Sequence, residues 1–385
     1  MDPVITLLSD LVAIDSVNPS LVSGARGEAD IAAFLADVLR QAGLTVTIQE
    51  ALPGRPNVVG VLEGRRPGPA LMFCGHTDTV GVAGMEQPFT PRIRGDRLYG
   101  RGSQDMKGGV AAMVDAARTL ARNGGLGAGR LIVAAVIDEE HASAGADALV
   151  HEWHADAAVI TEPTGLDIGI AHKGFQWVTV QTRGRAAHGS RPAEGRDAIM
   201  RMGRVLVALE SLGRDLERGR THPLLRAASL HASIVTGGTE LSTYPASCSL
   251  DFERRTLPGE PDDVALREAE QVIARLREQD EEFEATAEGK FGRGAYELPD
   301  DHLLASTLGI AATRAGARAQ QIGLSFWTDA AILGAAGIPA VLFGPGGAGL
   351  HSTEEYVLIR DVCTCRDALV TLARESADND ERNKL

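Results

Sequence analysis

An α/β fold, with a mixed, mostly parallel sheet covered by helices and a smaller inserted α+β domain, is predicted by three observations. Continuous apolar runs such as Ala70-Leu71-Met72-Phe73-Cys74 and Leu131-Ile132-Val133-Ala134-Ala135-Val136 read as strands buried on both faces, as in a helix-covered parallel sheet. Helical periodicity alternates with such runs to about residue 171 and resumes from about residue 303. In between, Phe175-Gln176-Trp177-Val178-Thr179-Val180-Gln181-Thr182 alternates apolar and polar residues, the pattern of a one-sided strand. The predicted organisation is a catalytic domain in two parts, residues 1–173 and 293–385, around an insert over residues 174–292.

Helices are expected over residues 2–15 and 27–42, the second stopped by Gly43, and strands over 45–49, 57–63 and 70–74. A long helical pattern through Val110, Met113, Val114, Ala117 and Leu120 follows. Within the insert, strands are expected over residues 175–182, 229–235, 246–253 and 284–291, and helices over 197–216 and 264–279. The second part contributes a helix over residues 330–336 and a strand over 340–343. The polar end, residues 376–385, is expected to fray.

The 385 residues carry a net charge of −14 without a basic tract, which argues against nucleic-acid binding. No stretch reads as a signal peptide or a membrane span, so a cytoplasmic location is expected. Cys74, Cys248, Cys363 and Cys365 are too few and too irregularly spaced for a disulfide framework or a cysteine zinc site, and Cys74 and Cys248 read as core thiols. No glycine-rich phosphate loop follows the first strand, which removes a nucleotide-binding reading.

The chemistry is concentrated in residues that follow apolar runs: His76, Asp105, Glu140, Glu162 and His351. Open α/β sheets place their sites at the carboxyl ends of strands, and carboxylates and imidazoles converging there suit a pair of zinc-like ions. His76 ends the run beginning at Ala70, and Asp78 can accept the proton of its second ring nitrogen. Asp105 lies in a glycine-rich approach to a helix N-terminus, where a carboxylate is favoured, and its two oxygens could bridge two metals. Asp138-Glu139-Glu140 places three acids after a buried strand, where they repel one another unless cations or protons offset the charge. Glu139 and Glu140 can divide ligation and proton transfer between them.

With these blocks in place, the chain resembles the di-zinc exopeptidase and deacylase family, whose members include acetylornithine deacetylase, succinyl-diaminopimelate desuccinylase, aminoacylase and glutamate carboxypeptidases. The resemblance runs from Ser16-Val17-Asn18-Pro19 to His351-Ser352-Thr353-Glu354-Glu355. It implies that Asp105 bridges two ions, with His76 and Glu162 on one and Glu140 and His351 on the other. It also implies that Asp78 orients His76 and that Glu139 is the general acid/base.

In the insert, Gly184-Arg185-Ala186-Ala187-His188-Gly189-Ser190-Arg191-Pro192 resembles the family's lid motif, which implies that His188 polarises the scissile carbonyl. Arg255, three residues before Pro258, is implied to hold a substrate carboxylate, and a guanidinium can do so bidentately. Arg254 reads instead as part of an exposed turn. Ser242 stands where relatives commonly carry asparagine, leaving a shorter hydrogen-bonding group near the scissile carbonyl. Trp327 and Thr328 fall where relatives line the substrate pocket.

The implied reaction is hydrolysis of the amide bond of an N-acyl amino acid by water activated between two divalent ions. Zn2+ is expected, and Co2+ or Mn2+ is compatible with the same donors. Dipeptide or C-terminal glutamate hydrolysis in the same site and a catalytically silent binding protein are the alternatives. The expected partners are a small N-acyl amino acid or short peptide and a second copy of the chain, paired through the lid, with no nucleic acid and no membrane.

Overall fold

A computed structural model describes residues 1–378. Within them the chain divides into two compact units. The first comprises Met1–Ile170, Leu298–Ile322 and the chain from Thr328 onward; the second comprises Ala171–Glu297 and Gly323–Trp327. The second unit therefore takes in residues 174–292, a few residues beyond each end, and a short segment that the sequence pattern places in the flanking domain.

The first unit is built on a mixed sheet. Its strands include β1 (Thr45–Leu52), β2 (Arg55–Glu63), β3 (Ala70–His76), β4 (Arg130–Val136), β5 (Ala157–Ile160) and β6 (Ile168–His172). They lie in the order β1-β2-β4-β3-β5, followed by Ala340–Leu342 and then β6. β3 runs parallel to β4 and β5, and Ala340–Leu342 runs parallel to β5. The pairs β1/β2 and β2/β4 are antiparallel. Every residue of β3 is buried, as its unbroken apolar run predicts for a strand covered on both faces.

Helices α1 (Pro3–Ala13), α2 (Ala29–Gln41), α3 (Gly108–Arg122) and α4 (Ala144–Glu152) belong to this unit. α1 starts where Asp2 caps the Val4 N–H at 3.0 Å and Pro3 occupies the first turn. α2 buries Ile31, Leu35 and Leu39, spaced four apart so that they share one face, against β1 and β2. α3 packs on β3 and β4 and is flanked by α1 and the C-terminal helix Ile359–Asp378. That helix includes Ser376; the remainder of the expected frayed tail, residues 379–385, lies outside the described residues.

In the second unit, β7 (Gly174–Arg183), β8 (Ser229–Gly237), β9 (Ser247–Thr256) and β10 (Ala285–Arg293) form an antiparallel sheet in the order β8-β9-β7-β10. α5 (Ala198–Arg218) and α6 (Val264–Gln279) complete it. Val178, Val180, Leu250 and Phe252 from the sheet share a core with Met202, Val205, Leu209 and Ile273 from the helices. Edge strand β8 is almost wholly exposed, including Ile234 and Val235.

Arg254 departs from the sequence expectation. It is not in an exposed turn but in β9, fully buried, with its guanidinium held by Glu260 at 2.8 and 3.0 Å and by Glu268 at 3.1 Å. Two carboxylates supplied from beyond the strand make that burial tolerable.

The start of α3 approaches β5 closely. A Cβ on Gly109 would overlap the carbonyl oxygen of Thr161 at far less than van der Waals distance, with backbone on both sides of the clash. Gly109→Ala is therefore expected to destabilise the protein by about 2–3 kcal/mol through overpacking, despite alanine's better helix propensity. Urea denaturation should show a lower midpoint at unchanged slope; an unchanged or higher midpoint would mean that the helix can shift at no cost.

Candidate metal centre

The carboxyl edge of the sheet delivers three of the expected side chains directly. His76 is the last residue of β3, while Glu140 and Glu162 follow β4 and β5. Asp105 and His351 reach the same place differently. Asp105 lies in a wide turn, Ser103–Lys107, ahead of α3, with extended dihedrals (φ −118°, ψ 95°). His351 lies in the loop beyond Ala340–Leu342 and adopts a left-handed φ of 57°. Asp105 is thus not at the end of a long strand, nor within the first turn of α3.

The five converge in the first unit. Asp105 stands between the two imidazoles: its Oδ1 is 3.1 Å from Nε2 of His76, and its Oδ2 is 3.3 Å from Nε2 of His351. His351 Nε2 is also 3.1 Å from Glu140 Oε2. Glu139 Oε2 and Glu162 Oε1 lie 3.9 and 4.0 Å from His76 Nε2. Two sets of donor atoms are close enough to share an ion: His76 with Glu139 and Glu162, and His76 with Asp105 and Glu140.

This donor set fits divalent cations. All the donors are carboxylate oxygens and imidazole nitrogens, the pairing that zinc and its neighbours accept. Glu140 Oε1 is buried without a hydrogen-bond partner, an arrangement costly for a carboxylate unless a cation completes it. The titration behaviour points the same way. Burial, with the charge of Glu162, pushes the Glu139 carboxyl well above its ordinary range. Burial and Asp105 raise Glu140 to about 6, and burial above all raises Glu162 to about 8. Hydrogen bonds to Asp105 and Glu140 raise His351 to about 10. Burial disfavours the charged form of His76, but its hydrogen bonds to Asp105 and Asp78 outweigh that and raise it.

A second layer fixes these groups. His76 Nδ1 is 3.0 Å from the backbone carbonyl of Asp78 and 3.5 Å from its carboxylate, so the carbonyl is the nearer acceptor. That leaves Nε2 to face the acids. The Asp78 carboxylate accepts the N–H groups of Glu139 and Glu140 at 3.1 and 3.2 Å, and an amide proton of Asn18 at 2.8 Å. Burial opposes its charge, yet contact with His76 and Asn18 holds its pKa below the usual value. Asn18 also donates to Asp138 at 3.0 Å. Arg55 donates to Asp138 at 2.9 Å and forms a two-pronged pair with Glu28 at 2.6 and 2.7 Å. Arg55 and Glu28 were not singled out in the sequence, because their partners lie far along the chain.

The remaining sequence candidates fall as follows. Thr328, in the first unit, is buried and accepts the Ala330 N–H at 3.3 Å, which starts the helix Ala330–Ala335. In the second unit His188 is exposed and pairs with Ser190 Oγ at 2.8 Å. Ser242 is its neighbour, since the Gly189 N–H donates to the Ser242 carbonyl at 2.7 Å. Arg255 donates to Glu253 at 2.6 Å and lies over the ring of Phe175. Trp327 packs edge-on to Phe175 and donates to the Gly294 carbonyl at 3.0 Å. Arg255 and Trp327 thus share Phe175 as a neighbour, apart from the His188 and Ser242 contact.

Acids and imidazoles gathered at the carboxyl edge of a helix-covered mixed sheet define a metallohydrolase. The chain belongs to peptidase family M20/M25/M40, whose profile matches residues 72–375. It is 30% identical over 380 residues to acetylornithine deacetylase of Myxococcus xanthus, covering 94% of each chain. It is 28% identical over 371 residues to N-formyl-4-amino-5-aminomethyl-2-methylpyrimidine deformylase of Bacillus subtilis, covering 88% of this chain and 87% of that one. Its fold matches aminopeptidase PepT of Bacillus cereus with a TM-score of 0.81 at 19% identity, over 97% and 98% of the two chains. A dinuclear metal-binding M20 peptidase of Bacillus subtilis matches with a TM-score of 0.74 at 16% identity, over 97% of each chain. The protein is accordingly a metal-dependent amide hydrolase.

Metal affinity should depend steeply on pH. In the metal-free protein Glu162, at about 8, and His351, at about 10, hold protons at neutral pH. Ligation requires those protons to leave, so affinity rises with pH, by about tenfold per unit for each proton displaced. Zn2+ titrations at pH 6 and pH 8, repeated in buffers of different ionisation enthalpy, check this. Equal affinities and no proton release would contradict it.

Proposed function

We propose that this hydrolase cleaves the amide bond of N-acyl amino acids, as an acetylornithine-deacetylase-like deacylase. The observation that carries the metal chemistry is Asp105 standing with one oxygen toward each imidazole, at 3.1 and 3.3 Å. Two oxygens turned to two imidazoles would let this one carboxylate serve two ions. The substrate class is supported by the deacetylase relative, whose 94% coverage spans both units.

In this reading His76 and Glu162 would hold one ion, Glu140 and His351 the other, and Asp105 would contribute to both. Zn2+ is the preferred ion, with Co2+ or Mn2+ compatible with the same donors. Bound divalent ions supply Lewis acidity to the scissile carbonyl and lower the pKa of water. Glu139 takes the proton from the attacking water and delivers it to the leaving amine; its raised pKa suits a group that must hold a proton transiently. Asp78 keeps His76 in one ring orientation through its carbonyl and, through its carboxylate, fixes the backbone that carries Glu139 and Glu140.

His188 donates to the developing oxyanion, Ser242 offers a hydroxyl beside it, and Arg255 grips the substrate carboxylate. Trp327 and Thr328 line the substrate site. The exposed edge strand β8, with Ile234 and Val235, and exposed Met200 and Val207 of α5 support pairing of two chains through this unit. His188 then acts in the partner's site. No described helix is long and apolar enough to cross a membrane, and we place the enzyme in the cytoplasm.

A screen of N-acetyl, N-formyl and N-succinyl amino acids against dipeptides, with Zn2+, Co2+ and Mn2+, tests the reaction class. Faster turnover of dipeptides or of C-terminal glutamate would replace the deacylase reading by a peptidase using the same ions.

Glu139→Gln should retain both metal equivalents and lose activity by at least about 10²-fold, the usual contribution of general acid–base catalysis. Loss of one equivalent would instead make Glu139 a ligand and Glu140 the proton carrier.

Mixing inactive His188→Ala with inactive Glu139→Gln chains, under conditions of subunit exchange, should restore part of the activity. One site of the mixed dimer then has both groups. Absence of rescue, or a fully active monomer, would remove the action in trans.

A further inference from the structure

The turn that carries Asp105 is held by a single buried carboxylate from the far end of the chain. Glu355 Oε1 accepts the N–H groups of Gln104 at 2.9 Å and Asp105 at 3.2 Å. Its Oε2 accepts the N–H of Gly102 at 3.0 Å and Nη1 of Arg101 at 2.6 Å. Arg101 in turn donates from Nη2 to the carbonyl of Ser352 at 2.9 Å, next to His351. Glu355 is 1% exposed and Arg101 is 2% exposed. The backbone is joined as well, since Gly100 N–H donates to the Glu355 carbonyl at 3.2 Å and Tyr356 pairs with Tyr99 in the adjoining ladder.

Such a cradle has a definite consequence. N–H groups ahead of a helix ordinarily go to water or to a local cap. Here Asp105 has non-helical dihedrals, so the regular hydrogen bonds of a helix do not hold the turn that aims its carboxylate. Three N–H groups converging on one anion do fix it. Because Glu355 lies on the segment that also carries His351, the same contact sets the separation between the His351 loop and the Asp105 turn. Neither oxygen of Glu355 is offered to the acid cluster, because both are taken up by the turn and Arg101.

We infer that Glu355 is a positioning residue for the two-metal centre: it orients Asp105 between His76 and His351, and ion binding depends on it although it contacts neither ion nor substrate. The inference rests on the bridging role proposed for Asp105.

The test uses the metal-free full-length protein, titrated with Co2+. Glu355→Gln keeps the volume but turns an NH2 group toward N–H donors, and Glu355→Asp keeps the charge on a shorter arm. Both should bind Co2+ more weakly, by about 10- to 100-fold for Glu355→Gln and less for Glu355→Asp, as for other residues that orient ligands. At saturating Co2+ the visible absorption bands of Glu355→Gln should differ from wild type. A residue needed only for stability would lower the melting temperature yet leave the saturated spectrum and the affinity unchanged, and that result overturns the inference.

If neither variant folds, amide exchange in the wild type decides. The N–H groups of Gln104 and Asp105 must be protected before metal is added, and rapid exchange there overturns the inference. Asp105→Ala, run in parallel, separates the two ideas. If it keeps both ions, the bridging reading fails. If it loses both while the Glu355 variants bind as wild type does, only the positioning role fails.

Discussion

Packing four acids around one buried imidazole, His76, and one exposed imidazole, His351, is the constraint on which the rest of this structure depends. Unit charges about 4 Å apart repel by about 4 kcal/mol at the effective dielectric of a protein surface, and by more in the interior. Without cations the structure meets this through protons, which is why Glu139, Glu140, Glu162 and His351 all have raised pKa values. Asp105 alone among the acids of the cluster is held below its ordinary range: burial opposes its charge, but hydrogen bonds from His351 and His76 prevail. The group that stays anionic most readily is the one that faces both imidazoles. A pair of divalent ions would take over the work of those protons.

Rigid support follows from the same constraint. A repelling cluster relaxes unless its backbone is pinned, and the pins are buried and far-reaching. Asp78 holds the Glu139 and Glu140 N–H groups, Asn18 links Asp78 to Asp138, and Arg55 anchors Asp138 to Glu28. Asp138 itself takes a left-handed φ of 67°, a conformation that aspartate tolerates better than most residues. The first unit thus spends buried polar groups where an ordinary core would use apolar ones, and it recovers a fixed geometry.

Much of this was legible in the sequence because the signals were local. The unbroken run Ala70-Leu71-Met72-Phe73-Cys74 marked a strand buried on both faces, and β3 is buried throughout. The helix expected over residues 264–279 is α6, Val264–Gln279. His76, Glu140 and Glu162 followed from the rule that strand ends carry the site. Asp105 was found by its glycines and its place ahead of a helix, but its support was not: the turn is held by Glu355, and no local pattern records a hydrogen bond to a residue near the other end of the chain. Arg254 was misread for a related reason. A pair of neighbouring arginines looks like surface, and only the arrival of Glu260 and Glu268 makes one of them core. Local periodicity reports which face is apolar, not which distant carboxylate will neutralise a cation.

The two units differ in how tightly their chemistry is specified. In the first unit the acids crowd two imidazoles within 4.0 Å, and a small displacement of any one of them alters the charge balance of all. The second unit places His188 in an exposed loop beside Ser242, whereas Arg255 is half-buried on the sheet against Phe175 and Glu253. Exposed groups can be exchanged with little effect on stability, because nothing buried is left unpaired. The second unit can therefore vary at such positions while the acid cluster stays fixed. Ser242 is one such exposed position. A change of its side chain leaves the buried pairs of the first unit untouched.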